Sequence, residues 1–143
     1  NELVSPYCTA PFVGGAGEGA NTIAASVVAH TEKTAWFTVR DVPKDRGVDR
    51  KWITGISPTF TGPNNQRPYL TLVEDVSTSG ATVLTAIAKI EASDCEVGNI
   101  VILLDRQENN ALDAIKEAIM WRPVDVIFTK EEVLTPMLTK FDA

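Results

Sequence analysis

Residues 70–82 read LTLVEDVSTSGAT, and this stretch constrains the chain more than any other. Leu70, Thr71, Leu72 and Val73 form an apolar and β-branched run that ends on two adjacent acids, Glu74 and Asp75. Val76 and the small hydroxyl residues Ser77, Thr78 and Ser79 follow, then Gly80, Ala81 and Thr82 at the start of a helical pattern. The physical reading is a buried parallel strand that delivers two carboxylates to its C-terminal edge. The loop behind it presents backbone N–H groups and hydroxyls at a helix N-terminus, where the dipole and unpaired amides attract a phosphate monoester. The carboxylates stand where they can accept hydrogen bonds from sugar hydroxyls. The competing reading is a flavodoxin-like or Rossmann strand-loop-helix unit that binds nothing.

The rest of the chain supplies a sheet for this strand. Residues 10–14 read as a short strand, followed by a glycine-rich loop over 14–19 and a helix over 20–29 with Ile23, Ala24, Val27 and Val28 on one face. Residues 35–40 (AWFTVR) have strand composition, 41–50 form a charged loop, 51–56 a short strand and 57–68 a Pro-rich connection. After the motif strand at 69–73, a helix over 80–92 carries Val83, Leu84, Ile87 and Ile90 at helical spacing. Residues 97–104 include the run IVILL, the mark of a strand buried on both faces. A helix over 111–120, a strand over 124–128 and a last helix capped by Thr129 and Glu132, kinked or restarted at Pro136, complete the pattern. The alternation implies an α/β fold with a parallel sheet of about five strands and helices on both faces. Ligands of such sheets sit beyond the carboxyl ends of the strands. Gly15 to Gly19, Arg40, the acidic pair and Asp105–Arg106 all fall there.

Composition narrows the function. The 143 residues suit one domain, expected to span 1–143 with residues 1–11 as a short N-terminal extension and 41–50 as a mobile charged loop. A net charge of −6 argues against nonspecific nucleic-acid binding. No apolar run approaches the ~20 residues of a membrane span, and no signal peptide is visible. Cys8 and Cys95 lack metal spacing and read as free thiols of a reducing, cytoplasmic compartment. The single His30, at a helix end, reads as a dipole or solvent group.

The stretch 70–82 closely resembles the phosphoribosyl-diphosphate (PRPP) binding motif of the type I phosphoribosyltransferases, an apolar strand, two acids, a Thr/Ser-rich loop and a glycine. The resemblance runs from about Phe12 to the end of the chain. It implies the phosphoribosyltransferase type I fold, with PRPP held by residues 74–82 and Asp75 catalytic. Residues 39–47 (VRDVPKDRG) resemble the catalytic loop of the orotate phosphoribosyltransferases, typically Arg-Lys-x-x-Lys-Asp-His-Gly. Arg40, Lys44, Asp45 and Gly47 match that pattern, Asp41 replaces a Lys and Arg46 a His. The resemblance implies that Arg40, Lys44 and Arg46 bind PRPP, with Lys44 and Arg46 acting on the leaving pyrophosphate. Because the family's loop reaches into a neighbouring subunit, it also implies a homodimer.

Two further segments carry the resemblance. Gly15, Ala16, Gly17, Glu18 and Gly19 resemble the loop whose backbone holds pyrophosphate, with Glu18 where some members carry Lys. Arg106, in LLDRQENN, matches the Arg of an Asp-Arg-x-Glu-Gly segment that contacts the base, and Thr78 matches a residue that faces orotate. A guanidinium suits a planar carboxylate, which adenine and hypoxanthine lack. Mg²⁺ is the implied cofactor, bridging substrate oxygens and water near Glu74 and Asp75 without direct protein ligands. The implied activity is transfer of 5-phosphoribose from PRPP to orotate, giving orotidine 5′-monophosphate and pyrophosphate. A transferase for another base and a non-catalytic PRPP-binding regulatory module remain as alternatives, along with a fragment that needs a partner chain. The orotate enzymes usually carry a further N-terminal hood over the base, whereas only residues 1–11 precede the first loop here. The hood is therefore expected to be absent, to lie outside this chain, or to mark a reduced relative.

Overall fold

A computed structural model of the chain describes residues 2–32, 34–45, 47 and 50–141. Its strands are β1 (Phe12–Gly15), β2 (Ala35–Val39), β3 (Ile53–Thr54), β4 (Tyr69–Ser77), β5 (Glu96–Asp105) and β6 (Val124–Thr129). The helices are α1 (Glu18–Ala29), α2 (Ala81–Ala92), α3 (Ala111–Ala118) and α4 (Lys130–Phe141). One six-stranded sheet runs in the order β3-β2-β1-β4-β5-β6. Five strands are parallel, and β3 closes the edge antiparallel to β2. The architecture is thus the expected parallel α/β sheet with one short antiparallel strand added.

Strand alternation sorts the core into two layers. Leu70 and Leu72 of β4 join Ile100 and Ile102 of β5 beneath Val83, Ile87 and Ile90 of α2 and Ile115 of α3. Val73 and Val101 join Val13 of β1 beneath Ala24 and Val27 of α1, with Val4 sealing the end. The apolar stripes read from the sequence at 23–28 and 83–90 are therefore the faces that cover the sheet from opposite sides.

Two boundaries move for identifiable reasons. The motif strand continues past Val73 to Ser77, because β5 runs to Asp105 and pairs with the whole extension, Glu74 opposite Ile102 and Ser77 opposite Asp105. The strand expected over 51–56 shrinks to two residues. The Trp52 amide donates to Ser93 Oγ at 2.9 Å instead of to a ladder, and Gly55 turns the chain at φ 106°. At the far edge, the expected capping box forms: Glu132 donates its amide to Thr129 Oγ1 at 3.2 Å, and Thr129 donates its own to Glu132 Oε2 at 2.8 Å. Helix α4 runs through Pro136.

The charged tract after β2 is anchored at both ends. The Arg40 amide donates to the Trp52 carbonyl and the Lys44 amide to the Lys51 carbonyl, each at 2.8 Å. Arg50, 7% exposed, donates to four backbone carbonyls, those of Ser57, Phe60, Ser93 and Asp94. Arg50 thus ties three connections together and is a structural residue. Arg46 lies outside the described residues.

Substituting Arg50→Ala removes these charge-assisted bonds, and while Ser57 keeps the Phe60 amide at 3.0 Å, the Phe60 and Asp94 carbonyls lose their Arg50 donor. We expect a loss of about 2–4 kcal/mol in urea unfolding, with Arg50→Lys recovering only part of it because an ammonium cannot reproduce the planar fork.

Candidate functional site

Parallel neighbours β1 and β4 send their following helices to opposite faces of the sheet, so a crevice opens between α1 and α2 at their N-terminal ends. This is the switch point at which ligands of open α/β sheets bind. The crevice encloses about 530 Å³ and is lined by Gly15, Ala16, Gly17 and Glu18 on one wall and by Ala81, Thr82 and Thr85 on the other. Both helices begin on glycines that provide no side-chain cap, Gly17 and Gly80. The first turn of α1 closes with the Asn21 amide on the Gly17 carbonyl, and that of α2 with the Leu84 amide on the Gly80 carbonyl. The amides of the first helical residues have no intrahelical carbonyl to meet, which leaves two helix N-termini open to one anion-binding space.

Glycine is required at specific points of this frame. Gly80 adopts φ 80°, a left-handed conformation that any Cβ strains. A Cβ on Gly19 would overlap the Asp75 carboxylate, and one on Gly15 would overlap the backbone of α1 at Ala20 and Asn21. The Ala16 amide donates to the Val73 carbonyl at 2.8 Å, fixing the first loop to the motif strand.

The two acids lie within β4 rather than beyond it, and the pleat separates them. Asp75 stands against Gly19 at the start of α1 and is partly exposed. Glu74 is buried, with Oε1 accepting the Asp75 amide at 3.1 Å. Burial, followed by the hydrogen bond to Asp75 and repulsion from its charge, pushes the Glu74 carboxyl up to about 8. For Asp75, burial acts upward, but hydrogen bonds from the Glu74 carboxyl and from the Val76 and Asp75 amides outweigh it, and the carboxyl falls below its ordinary value. At neutral pH the pair is therefore one protonated acid supporting one carboxylate, and the charge faces α1.

The hydroxyl loop divides similarly. Ser77 ends β4 with only 2% exposure, and its Oγ has no hydrogen-bond partner. Ser79 Oγ accepts the Ala81 amide at 3.3 Å, and Thr78 is half-buried beside it. The Arg106 amide donates to the Ser77 carbonyl at 3.0 Å, which holds the start of the LDRQENN segment against the motif loop. The Arg106 guanidinium pairs with Glu108 at 2.9 Å, and Asp105 Oδ1 accepts the Gln107 amide at 2.9 Å. Arg106 lines a small apolar hollow with Leu104, Val133 and Leu134 rather than the crevice.

Comparison with known proteins identifies the arrangement. No family model matches the chain. It is 31% identical over 98 residues to the orotate phosphoribosyltransferase of Streptomyces coelicolor, covering 66% of this chain and 50% of that one. To the Tropheryma whipplei enzyme of the same name it is 29% identical over 121 residues, 82% of this chain and 52% of that one. The structure superposes on Mycobacterium tuberculosis orotate phosphoribosyltransferase in complex with PRPP with a TM-score of 0.65 and 26% identity, covering 92% of this chain and 69% of that one. The chain belongs to the type I phosphoribosyltransferase family. Adenine phosphoribosyltransferase from Rhodothermus marinus shares the fold, with a TM-score of 0.57 at 14% identity over 89% of this chain and 74% of that one. The chain spans about half the length of the curated relatives it matches.

Within this family member, the crevice gathers Gly15 to Glu18 with Ala81 and Thr82, and adds Asp41 and Lys89. Asp75 adjoins it through Gly19. Arg40 is turned toward protein, donating to the Val42 carbonyl and to Thr54 Oγ1, both at 3.2 Å. Lys44 does not line the crevice. Sequence reasoning missed Asn21, Thr85 and Lys89. Thr85 and Lys89 were signalled only by their helical spacing from Thr82. Among the described residues no group of three or more His, Cys, Asp or Glu is placed to hold a metal ion, and no helix is long and apolar enough to cross a membrane. Cys8 and Cys95 are free.

Glu74 keeps its proton in the folded chain at pH values where the unfolded chain has released it. Its contribution to stability is fully present below about 4.5 and is lost as pH rises through about 8. Glu74→Gln should flatten the decline in urea midpoint across that window. An unchanged slope would show that Glu74 ionises normally.

Proposed function

We propose that the chain transfers 5-phosphoribose from PRPP to a nitrogenous base, with orotate as the base, giving orotidine 5′-monophosphate and pyrophosphate in cytoplasmic pyrimidine nucleotide synthesis. The observation that carries this reading is the pair of open helix N-termini facing one crevice, with an ionised Asp75 beside them. A ligand with phosphates at both ends of a sugar diol matches that spacing of anion sites and acceptor. The sequence relatives named orotate phosphoribosyltransferase, and the structural neighbour solved with PRPP, support the same choice.

In this reading residues 77–82 hold the 5′-phosphate through their backbone amides, and Thr78 and Ser79 add their hydroxyls. Asp75 accepts hydrogen bonds from the ribose hydroxyls, and protonated Glu74 fixes its orientation. The loop Gly15, Ala16, Gly17, Glu18 and Gly19 offers its backbone to pyrophosphate. Lys44, with Arg40 and Arg46, neutralises the leaving group as the C1–O bond breaks, while the base nitrogen forms the new C1–N bond and its N–H proton passes to the departing pyrophosphate or to solvent. Such an oxocarbenium-like transition state requires positioning and electrostatics rather than a protein nucleophile. Arg106 faces the base carboxylate after exchanging its Glu108 partner. With Glu74 neutral, the donor set offers one charged carboxylate, which fits Mg²⁺ held mainly by substrate oxygens and water near Asp75, where it would offset pyrophosphate charge. The 41–50 loop reaches a second copy in a homodimer.

Glu18 and Asp41, both lining the crevice, favour a second reading in which the chain binds PRPP as a sensor without turnover. Orotate consumption with PRPP and Mg²⁺, followed by absorbance with mass detection of the nucleotide, separates the two. Turnover supports the transferase, and saturable PRPP binding without it supports the sensor.

Two substitutions probe the assigned roles. Asp75→Asn should weaken PRPP binding by roughly tenfold or more, and unchanged affinity would remove Asp75 from the ribose site. Lys44→Ala should lower kcat by about 10²–10³ with a smaller change in PRPP affinity, whereas equal losses in both would mark simple ground-state binding.

A further inference from the structure

Lys89 enters the crevice by helix geometry rather than by any motif. Thr82, Thr85, Ala86 and Lys89 follow the i, i+3, i+4, i+7 spacing of one helix face, and all four line the crevice. At 1.5 Å of rise per residue, Lys89 stands roughly 10 Å along α2 from Thr82. Among the described residues lining the crevice, Lys89 carries the positive charge, against the carboxylates of Glu18 and Asp41. A polyanion placed between those two acids needs a compensating cation, and the α2 wall provides it.

The ammonium is already positioned. Nζ lies 5.0 Å from the centre of the Trp52 ring and donates to the Arg40 carbonyl at 2.9 Å. The ring face attracts the charge and restricts a flexible stem. The carbonyl bond uses one of the three N–H donors of an ammonium. Arg40 is also the residue at which β2 gives way to the 41–50 loop, so the same group touches both the crevice and the base of that loop.

We propose that Lys89 binds the pyrophosphate group from the α2 wall, supplying the cation that position 18 does not, with its ammonium held in place by the bond to the Arg40 carbonyl. The inference rests on the PRPP reading above and adds a residue to it. As the C1–O bond breaks, its electron pair stays on the pyrophosphate oxygen, and Lys89 donates hydrogen bonds to the anion without transferring a proton.

Calorimetry on the full chain with Mg²⁺-pyrophosphate, Mg²⁺-PRPP and ribose 5-phosphate tests this without reference to the base. Lys89→Met keeps the stem against Trp52 and removes the charge. It should weaken pyrophosphate and PRPP by roughly ten- to a hundredfold and leave ribose 5-phosphate unchanged. Lys89→Arg should retain pyrophosphate binding, and Glu18→Lys added to Lys89→Met should recover it by placing a cation on the opposite wall. If Lys89→Met does not fold, Lys89→Gln carries the same expectation. Undiminished pyrophosphate binding in the charge-removed variant overturns the proposal, as does an equal loss for ribose 5-phosphate, which would mark a structural role. A wild-type chain that binds PRPP while the variant binds it equally well contradicts this inference alone. A wild-type chain that binds neither PRPP nor ribose 5-phosphate overturns the PRPP reading as well.

Discussion

Backbone pairing of β1 with β4, Gly15 opposite Val73, holds together everything at the C-terminal edge of the sheet. The two strands are parallel neighbours, yet α1 packs on one face and α2 on the other, so their first turns diverge and leave a space between them. Gly17 and Gly80 begin the two helices without side-chain caps of their own, and apart from the Ala81 amide, which meets Ser79 Oγ, the first-turn amides stay available. Close contact of Gly19 with Asp75 and of Gly15 with the α1 backbone leaves no room for a Cβ on this floor. The crevice is thus a consequence of strand order, and its chemistry follows from which atoms the strand order exposes.

Charge in the crevice is distributed unevenly. Two adjacent carboxyls in a buried strand cannot both ionise at low cost, and burial raises Glu74 while hydrogen bonds lower Asp75, which favours the charge on Asp75. The neutral acid becomes a donor that orients its neighbour. Glu18 and Asp41 add negative charge at the other end, where the proposed leaving group would sit. Any cation serving that end must come from elsewhere in the fold, and α2 brings Lys89 there while the Arg40 guanidinium stays engaged with Val42 and Thr54.

The periodicity of the sequence identified the strands, the helices and their buried faces because those signals are local. Leu70 and Leu72 against Thr71 and Val73, or Val83 with Ile87 and Ile90, announce their layer by spacing alone. Features set by distant partners were hidden. The extension of β4 to Ser77 depends on β5 reaching Asp105. Arg50 reads as one more loop cation until Ser57, Phe60, Ser93 and Asp94 converge on it. Lys89 looks like a solvated helix residue unless Thr82 is known to face a ligand space. The motif segments themselves were legible because an anion site built from backbone requires small residues in sequence order, whereas the side chains that tune it can come from any element.

The central claim is that two helix N-termini form one anion site for a doubly phosphorylated ribose. Amide chemical shifts of the isotopically labelled chain, titrated with PRPP in the presence of Mg²⁺, test it most directly. The account predicts saturable shifts concentrated at residues 15–19 and 77–82, with both segments following a single binding curve. Shifts confined to one segment, centred elsewhere in the fold, or absent at saturating ligand would contradict it.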